Sequence, residues 1–582
     1  MVCPVLCSLL CLVLVPSAVL AQQQAATAYA PIPTPCPSTP LVRESANRLS
    51  SGESQYISSR RGDVVPRAWL DYVDFLSSRH SDFPSDVREL LSSQSTQPNL
   101  GIAVSGGGYR AALFGAGVLD AIDGRNANGL GGLLQASSYL TGLSGGSWLV
   151  LSFAHAELPR LPNLTQIWRA DEDLLLPKGV DPVTYALDAI GETEGKHGAG
   201  FPVTFADVWS RALSRHFVNS SDILDPNALH GAGVTLSGLM QLPTFQQHRQ
   251  PFPIVVADVL SGNTTGSVTI PPNIVPLTNT IFEFNPFEFG SFDPMLNAFT
   301  PTEFLGSTSN SCVTRFDQLS FVQGTSSNLF NEFNISAAVL ANSSIGPLIA
   351  LLEEIIPQSG VELDTAMIPD PFHPSSNPNE TSFLRLVDGG EDGEVDPLQP
   401  LLVHARDVDV IFAVDAPADN ADNFAEGLSL IASQERASLF PASYSFPVVP
   451  NDTSTFLAHN LTRRPTFFGC HATPSSSSSS RIPPLIIYLA NGGAPLGQTP
   501  VTNAPTLQTT YTIAQIEAFL SQTQDIATQG IPVQNANGSL TKDPEWPVCL
   551  ACGIVERSRA KMSSGPRRSA ACERCLQRYC FS

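Results

Sequence analysis

The amino-acid sequence predicts an α/β protein with a central, mostly parallel sheet flanked by helices, large loop or lid insertions, and a cysteine-rich C-terminal tail. The segment PNLGIAVSGGGYRAALFGAGVLDAI predicts a buried strand over Leu100 to Val104, a tight turn over Ser105 to Gly108, and an apolar helix over Tyr109 to Ile122. The segment GGLLQASSYLTGLSGGSWLVLSFAHA repeats that order, with a strand near Ser138 to Thr141. Successive units of strand, glycine turn and helix are typical of layered folds with a largely parallel sheet.

Other segments extend this architecture in both directions along the chain. The stretch from Arg67 to Leu76 is amphipathic and predicts a helix. Three later segments predict buried strands, namely FLRLV before two glycines, VDVIFAVDA and PPLIIYLANGG. Between about Asp171 and Asp370 the chain is rich in Pro, Asn and Phe, so we expect inserted loops and lids there.

The overall composition restricts the class of protein. Of the 582 residues 42% are hydrophobic and 14% are charged, which favours a globular fold over disorder. The formal net charge of −22 makes nucleic acid an unfavourable partner and disfavours long-range attraction to anionic membranes. We therefore expect no nucleic-acid partner.

The first residues have the features of a secretory signal peptide. MVCPVLCSLLCLVLVPSAVLA is an apolar stretch that ends in small residues, with Val19 and Ala21 at the positions that a signal peptidase reads. No Lys or Arg precedes it, and a transmembrane anchor is the alternative interpretation. The C-terminus CERCLQRYCFS lacks the hydrophobic tail of a lipid-anchor signal. We expect a signal peptide over residues 1–21 and a secreted protein.

Potential glycosylation sites are consistent with the same compartment. An N-x-[ST] sequence is the acceptor for N-glycosylation in secreted proteins. The asparagines that begin such sequences are Asn163, Asn219, Asn263, Asn334, Asn342, Asn379, Asn451, Asn460 and Asn537.

The cysteines cluster at the C-terminus. Removal of the signal peptide would leave eight of the eleven cysteines, and five of these lie in the last 34 residues, at Cys549, Cys552, Cys572, Cys575 and Cys580. Two C-x2-C pairs would indicate zinc in a cytosolic protein, whereas an oxidising compartment favours disulfides. We expect disulfides and no metal, with the pairing left open because eight cysteines can pair in 105 ways.

The stretch TGLSGGSWLV places Ser144 between glycines, immediately before an apolar segment. This order matches G-x-S-x-G, in which a nucleophilic serine lies at a sharp turn from a strand into a helix. A flexible glycine turn without function is the alternative.

A glycine loop precedes this serine in the chain. Gly106, Gly107 and Gly108 lie immediately before a predicted helix, so their N–H groups could stabilise a developing oxyanion. Arg110 follows closely and could hold an anionic group such as phosphate. Two alternatives are a dinucleotide-binding G-x-G-x-x-[GA] turn and a purely structural turn, with Arg110 as a solvated charge.

A serine nucleophile also needs a base, and Asp388 is the distinctive candidate. It lies where the apolar strand FLRLV meets two glycines, as a catalytic group at a strand end would. A triad with histidine stays open, since four histidines lie downstream of Ser144 in the second half of the chain, at His373, His404, His459 and His471.

Asp388 could instead belong to a calcium loop. Asp388, Asp392 and Gly393 fit the start of an EF-hand pattern, but its twelfth position holds Gln399 in place of Glu. A surface acidic turn is the other alternative. We discount calcium at this loop.

Taken together, SGGGYRA, GLSGGSW and LVDGGEDG resemble the fungal lysophospholipase and phospholipase B family, which is related to the catalytic domain of cytosolic phospholipase A enzymes. TFADVWSRAL, FEFNPFEFGSFDP, RRPTFFGCH and WPVCLACG also resemble family segments, so the likeness extends from roughly residue 36 to the end. It implies a catalytic domain over residues 36–545 with lid-like insertions, and a disulfide-bonded tail over residues 546–582 packed against it. In GEDGEVDP the chain departs from the family, because Val395 and Asp396 stand where an asparagine more often precedes Ile-Pro.

The resemblance implies a Ser–Asp dyad without metal or cofactor. Ser144 would be the nucleophile, Asp388 its base, Arg110 the residue near the phosphate, and Gly106 to Gly108 the loop around the oxyanion. The expected substrates are lysophospholipids, together with diacyl phospholipids, at micelle or membrane surfaces. A neutral-lipid or general carboxylesterase and a catalytically inactive lipid-binding protein are the alternatives.

Overall fold

The structure of the protein is a computed structural model. This structure describes residues 22–218, 223, 225, 228–260, 273–308, 311–330, 362–373, 382–470, 481–562 and 565–581. The predicted signal peptide over residues 1–21 and His471 lie outside these residues, as do five of the potential glycosylation sites, at Asn219, Asn263, Asn334, Asn342 and Asn379.

The described residues form sixteen strands. In chain order these are β1 (Ile32–Thr34), β2 (Arg43–Glu44), β3 (Leu100–Val104), β4 (Tyr139–Gly142), β5 (Phe252–Val259), β6 (Ile281–Phe284), β7 (Glu288–Ser291), β8 (Ala298–Pro301), β9 (Cys312–Thr314), β10 (Ala366–Pro369), β11 (Phe383–Asp388), β12 (Val410–Asp415), β13 (Thr466–Phe468), β14 (Leu485–Ala490), β15 (Val533–Gln534) and β16 (Leu540–Thr541).

The α-helices with both ends in the described residues are numbered here in chain order. They are α1 (Ser51–Ser59), α2 (Val65–Ser77), α3 (Ser85–Ser92), α4 (Gly108–Ala121), α5 (Leu133–Ala136), α6 (Gly145–His155), α7 (Leu161–Ile167), α8 (Pro182–Gly191), α9 (Glu194–Gly198), α10 (Phe205–Phe217), α11 (Pro243–Gln246), α12 (Leu319–Ser326), α13 (Gln399–Leu402), α14 (Leu428–Leu439), α15 (Thr453–Ala458), α16 (Ile513–Gln529), α17 (Trp546–Ile554), α18 (Glu556–Lys561) and α19 (Ala570–Tyr579).

One sheet of twelve strands organises the fold. Its centre is parallel, in the order β14-β12-β3-β4-β5. Antiparallel strands extend the sheet, with β13 beside β14 and with β6, β7, β8 and β2 following β5. The predicted α/β class with a parallel centre is thereby confirmed.

The central strands are buried on both faces. Ile102 and Phe412 pack with α2, α4 and α16 in one hydrophobic cluster, whereas the adjacent Ala103 and Ala413 pack with α13 and α14 in another. Successive residues of a strand face opposite sides of the sheet, so each strand needs apolar residues at every position. This requirement explains the unbroken apolar runs in the sequence.

The region expected to carry inserted loops and lids also supplies part of the central sheet. Strand β5 is the run FPIVVADV, and seven of its eight residues are buried. It pairs with three strands, because β4 and β11 share one edge and β6 occupies the other. The loop-rich composition of the surrounding chain conceals this apolar run.

The C-terminal tail is cross-linked to itself and to the sheet. Cys549–Cys575 and Cys552–Cys572 join α17 to α19, and Cys470–Cys580 joins the tail to the residues after β13. Residues three apart lie on one face of a helix, so the two C-x2-C pairs match face to face. The expected disulfide-bonded tail is thereby confirmed.

A fourth disulfide lies outside the C-terminal tail. Cys36 and Cys312 link the extended lead to the sheet region, where β1 pairs with β9. Within the described ranges, no helix combines the length and the apolar character needed to cross a membrane.

Candidate active site

Two strand ends meet on the shared edge of β5. The parallel strand β4 ends with Gly142 opposite Val255, and the antiparallel strand β11 ends with Asp388 opposite Ala257. Residues two apart in a strand are separated by about 6.6 Å. The topology therefore brings the serine turn after β4 and the aspartate of β11 to one point of the sheet, although they are 244 positions apart in sequence.

Ser144 lies in a strained turn between β4 and α6. Its φ of 48° and ψ of −126° are unusual for a residue other than glycine, and α6 begins at the next residue. Such strain is characteristic of a serine held out from a strand-to-helix turn. The side chain is largely buried, with 6% of the residue exposed. This geometry is the elbow that the G-x-S-x-G pattern predicts.

The glycines after the serine allow two loops to approach closely. A Cβ on Gly145 would lie 2.0 Å from the carbonyl oxygen of Gly108, and one on Gly146 would lie 2.2 Å from that of Val104. A side chain cannot occupy either position without moving the backbone. These glycines therefore keep the serine turn against the loop after β3.

That second loop contains the predicted oxyanion glycines. Gly107 and Gly108 have φ values of +131° and +61°, and they lead directly into α4. The N–H of Gly106 donates to the carbonyl of Val395 at 2.9 Å, so this group is engaged within the protein. A Cβ on Gly106 would lie 2.9 Å from the Ser144 Cβ. The N–H groups of the first helical turn have no partner within their helix, which applies to Gly108 at the start of α4.

Ser326 joins the serine turn to the aspartate turn. Its carbonyl accepts hydrogen bonds from the N–H of Ser144 at 3.0 Å and from the N–H of Gly389 at 3.3 Å. Its hydroxyl also accepts from the N–H of Ser144 at 3.1 Å and donates to the carbonyl of Val256 at 2.6 Å. Ser144 itself and the residue after Asp388 are thus held by the C-terminal end of one helix. Sequence reasoning did not single out Ser326, although the stretch CVTRFDQLSFVQGTSSNLFNEF that contains it resembles a family segment.

Asp388 itself is buried and anchored. It is 3% exposed, its N–H donates to the carbonyl of Asn328 at 2.9 Å, and its Oδ1 accepts from the N–H of Gly390 at 2.9 Å. Gly389 has no room for a side chain, since a Cβ there would lie 2.7 Å from the carbonyl oxygen of Val256. Gly389 therefore allows close packing of this turn against β5.

Arg436 holds the acidic turn that follows Asp388. It forms ion pairs with Asp392 at 2.7 Å and with Glu394, and the N–H of Asp392 donates to Asp258. One carboxylate of the EF-hand-like pattern, that of Asp392, is thus engaged with a cation of the protein itself. Among the described residues, no group of three or more potential metal ligands is present.

Two further buried carboxyl groups lie next to the glycine loop. Burial raises the pKa of Asp415 to about 8, and the charge of Asp419 contributes in the same direction. Burial, together with the charge of Asp415, also raises the pKa of Asp396 well above its usual value. The Tyr488 hydroxyl donates to Asp415 at 2.6 Å. These acids therefore favour the neutral form.

Arg110 is fully buried and holds the chain segment around residue 505. Its Nε donates to the carbonyl of Ala416 at 2.9 Å, and its Nη1 donates to the Ala504 carbonyl at 2.8 Å and to the Thr506 hydroxyl at 3.0 Å. Burial lowers its pKa to about 10. Nη2 has no hydrogen-bond partner within the described part of the chain, and it lies 2.5 Å from the place of a Gly107 Cβ.

A largely apolar cavity of about 120 Å³ opens beside Ser144. Residues from α4, α6 and α10 and from three loops, at residues 174–175, 327–330 and 506–509, form its wall. The lining residues are Gly108, Tyr109, Ser144, Trp148, Leu174, Leu175, Trp209, Ser327, Leu329, Phe330, Thr506, Leu507, Gln508 and Thr509. An apolar cavity with few polar groups suits a hydrophobic ligand.

No histidine is among the described residues that line this cavity. The side chain of His373 is 73% exposed, His404 contacts Ser445 at 3.4 Å, and His459 lies at the end of α15. Of the candidate bases that lie within the described residues, Asp388 is the one whose turn is hydrogen-bonded together with that of Ser144.

Comparison with known proteins gives a consistent result. A family model described as the lysophospholipase catalytic domain matches residues 100–582. Lysophospholipase 1 of Aspergillus fumigatus is 36% identical over 589 residues, covering 95% of this chain and 87% of that protein. Probable lysophospholipase 5 of Schizosaccharomyces pombe is 34% identical over 600 residues, covering 97% of this chain and 89% of that protein.

The fold has a solved counterpart at low sequence identity. The human GIVD cytosolic phospholipase A2 superposes with a TM-score of 0.61 at 17% identity, covering 90% of this chain and 67% of that chain. The same protein in complex with methyl gamma-linolenyl fluorophosphonate superposes with a TM-score of 0.58.

Proposed function

The chain belongs to the lysophospholipase catalytic domain family and is a lysophospholipase, and on that premise we propose that Ser144 and Asp388 form its catalytic dyad. The proposed reaction is hydrolysis of fatty-acyl esters in lysophospholipids, and in diacyl phospholipids as well. The observation that carries the proposal is the Ser326 carbonyl, which accepts from both Ser144 and Gly389. One acceptor for both turns keeps the nucleophile and the acid in one place.

In the first step Asp388 would accept the proton of the Ser144 hydroxyl while its oxygen attacks the acyl carbonyl carbon. The tetrahedral oxyanion would be stabilised by the N–H groups of Gly107 and Gly108, of which Gly108 lines the cavity. Collapse would break the ester bond, and the proton on Asp388 would pass to the departing glycerol oxygen. An acyl-serine and a free alcohol result.

In the second step the same carboxylate would take a proton from water. The resulting hydroxide would attack the acyl-serine carbonyl, and the tetrahedral intermediate would return its electron pair to the Ser144 oxygen. Protonation of that oxygen by Asp388 restores the free serine, and fatty acid leaves. No metal or cofactor takes part in this proposed route.

The apolar cavity would hold the acyl chain and Arg110 would hold the phosphate. Nη2 supports the second role, because it is the part of the guanidinium without a partner in the described residues and it lies against the glycine loop. The three bonds from Nε and Nη1 to protein groups favour a second candidate, a neutral-ester hydrolase in which Arg110 only holds the loop at residues 504–506.

We also propose secretion after cleavage following Ala21, with glycosylation of the chain. Four described potential acceptors, Asn163, Asn451, Asn460 and Asn537, are exposed, as a glycan requires. The four disulfides support an oxidising compartment. Mass analysis of protein from the culture medium tests both points through the N-terminal residue and the glycan masses.

The dyad is tested with Ser144→Ala and Asp388→Asn. Each should lower turnover of lysophosphatidylcholine by about 10,000-fold or more, and the double variant should be little worse, because the two residues act as one unit. Ser144→Ala should also abolish covalent labelling by a fluorophosphonate. Substantial turnover by folded Asp388→Asn would disprove the dyad.

Asp370→Asn provides the matched control. Asp370 follows β10, the strand paired with β11, and its Oδ1 accepts from the N–H groups of Phe372 and His373 much as Asp388 accepts from Gly390. It lies at the opposite end of that strand pair. Near-normal turnover by this variant would show that loss of an aspartate at a turn is not by itself inactivating.

The phosphate role is tested with Arg110→Lys on two substrates. Lysine is a point charge and cannot reproduce the planar donors of a guanidinium. Lysophosphatidylcholine should lose far more kcat/KM than a monoacylglycerol, which has no phosphate. Equal losses on both substrates would favour the neutral-ester candidate with Arg110 as a loop-holding residue.

A further inference from the structure

The hydroxyl of Ser327 lies between two tryptophans in the wall of the Ser144 cavity. It accepts a hydrogen bond from the indole N–H of Trp148 at 3.1 Å and another from that of Trp209 at 3.0 Å. It donates its own proton to the carbonyl of Gln323 at 2.7 Å. A serine hydroxyl has one donor and two acceptor sites, so all three are used.

The two indoles depend on this single acceptor for their orientation. An indole N–H is only a donor; that of Trp148 is buried and that of Trp209 is partly buried, so each needs an acceptor. The rings of Trp148 and Trp209 meet at 5.9 Å and 64°, and Trp209 meets Phe330 at 6.4 Å and 85°. Loss of the hydroxyl would leave both donors without their bond and release these edge-to-face contacts.

The bonded group spans three separate parts of the chain. Trp148 is on α6, one helical turn beyond Ser144, Trp209 is on α10, and Ser327 directly follows α12. Both tryptophans, Ser327 and Phe330 line the cavity together with Ser144. A change in the tilt of either indole therefore changes the cross-section of the cavity beside the nucleophile.

We propose that Ser327 is a positioning residue that sets acyl-chain selectivity, by fixing the two indoles that bound the acyl cavity. The proposal rests on the proposed function for the identity of the ligand. Ser327 itself takes no part in bond making or breaking. Substitution of Ser327 should change the ratio of kcat/KM for long over short acyl chains, and it should change turnover of a short-chain ester much less.

The test compares Ser327→Ala with Ser327→Thr, which retains the hydroxyl, and with Ser320→Ala as the matched control. Ser320 is buried on α12, and its Oγ has no hydrogen-bond partner within the described residues. Turnover of lysophosphatidylcholines with 6- and 16-carbon acyl chains is measured for each variant. Ser327→Ala should lower the ratio of kcat/KM for the long over the short chain by about 10-fold, a typical discrimination for an apolar pocket.

Three outcomes would overturn the proposal. They are an unchanged ratio in Ser327→Ala, the same change in Ser320→Ala, or failure of Ser327→Thr to restore the ratio toward the wild-type value. A double-variant measurement adds a fourth test, because in Trp148→Phe/Trp209→Phe the hydroxyl has no indole to hold. Ser327→Ala should then add little, and full additivity would contradict the mechanism.

A binding measurement separates this proposal from the proposed function. Non-hydrolysable alkyl-ether lysolipids of two chain lengths are titrated against Ser144→Ala and Ser144→Ala/Ser327→Ala, with tryptophan fluorescence as the signal. Loss of chain-length discrimination only with Ser327→Ala supports the role of the hydroxyl whether or not Ser144 proves to be the nucleophile. Identical discrimination in both proteins would refute it even if the dyad is correct.

Discussion

The serine turn and the cysteine-rich tail are both marked by conspicuous sequence patterns, but they are held together by different means. The serine turn depends on backbone contacts among segments around residues 106, 144, 326 and 388, without a covalent link among them. The tail depends on Cys549–Cys575, Cys552–Cys572 and Cys470–Cys580. An atom added to the closely packed serine turn would displace the backbone, whereas the tail stays cross-linked when residues around its disulfides change. The two regions should therefore respond differently to substitution.

The largest effect in this comparison is expected for Gly145→Ala. Its Cβ would lie 2.0 Å from the Gly108 carbonyl oxygen, a backbone atom that cannot move alone. A shift of the serine turn by about 1 Å should lower kcat by about 100-fold or more. Steady-state turnover and circular dichroism would separate loss of geometry from loss of fold.

Gly62→Ala is the control for that substitution, because a Cβ on Gly62 meets nothing within 4 Å. It should leave both activity and thermal unfolding near those of the wild type. Wild-type turnover by folded Gly145→Ala would show that the serine turn is less tightly packed than its glycines indicate.

An intermediate effect, on stability, is expected when the tail is released from the sheet. Cys470→Ala/Cys580→Ala removes the link between the tail and the residues after β13, and the loss of such a cross-link costs about 2–5 kcal/mol of unfolding free energy. Thermal unfolding measures the loss. Specific activity of the folded fraction should change little, because none of the described residues that line the Ser144 cavity comes from the tail.

Thiol and metal analysis of the wild-type protein completes that prediction. Intact-mass measurement should find the eight remaining cysteines oxidised and no bound zinc. Stoichiometric zinc that withstands mild chelation would contradict the disulfide structure of the tail. If Cys470→Ala/Cys580→Ala lost as much activity as Gly145→Ala, the two regions would not differ in their response to substitution.

The smallest effect concerns the pH dependence of the free energy of unfolding. The disulfide-bonded cysteines do not contribute to it, because they do not titrate. Asp396 and Asp415 have raised pKa values in the folded protein, about 8 for Asp415. The folded state then binds more protons than the unfolded state above about pH 4, so these groups lower the free energy of unfolding as pH rises toward 8. Asp396→Asn removes one titrating group and should weaken that decline.

Relative to the wild type, Asp396→Asn should be stabilised more at pH 8 than at pH 5, because it lacks the carboxyl group whose raised pKa makes ionisation unfavourable in the folded protein. Unfolding midpoints of wild type and variant between pH 5 and pH 8 measure it. Parallel pH profiles would show that Asp396 does not titrate in this range. Asp452→Asn is a suitable control, because that carboxylate is exposed at the start of α15.

Local patterns in the sequence predict much of the fold. The strand predicted over Leu100 to Val104 is β3, and the helix predicted over Tyr109 to Ile122 begins and ends one residue earlier, as α4. Apolar runs and glycine turns act over a few residues, so they are readable without knowledge of distant contacts. Strand β5 was missed because loop-rich sequence surrounds it on both sides.

The sequence by itself determined the chemical groups of the site, namely the strained serine turn, the glycine loop, and an aspartate at a strand end. Only the tertiary structure decided how they meet, through the shared edge of β5 and through Ser326. It also decided that Arg110 holds the 504–506 segment and that Ser327 joins two indoles. The physical reason is the range of the interactions: glycine strain and apolar periodicity are local, whereas the hydrogen bond between Ser144 and Ser326, 182 positions apart, exists only after the sheet has formed.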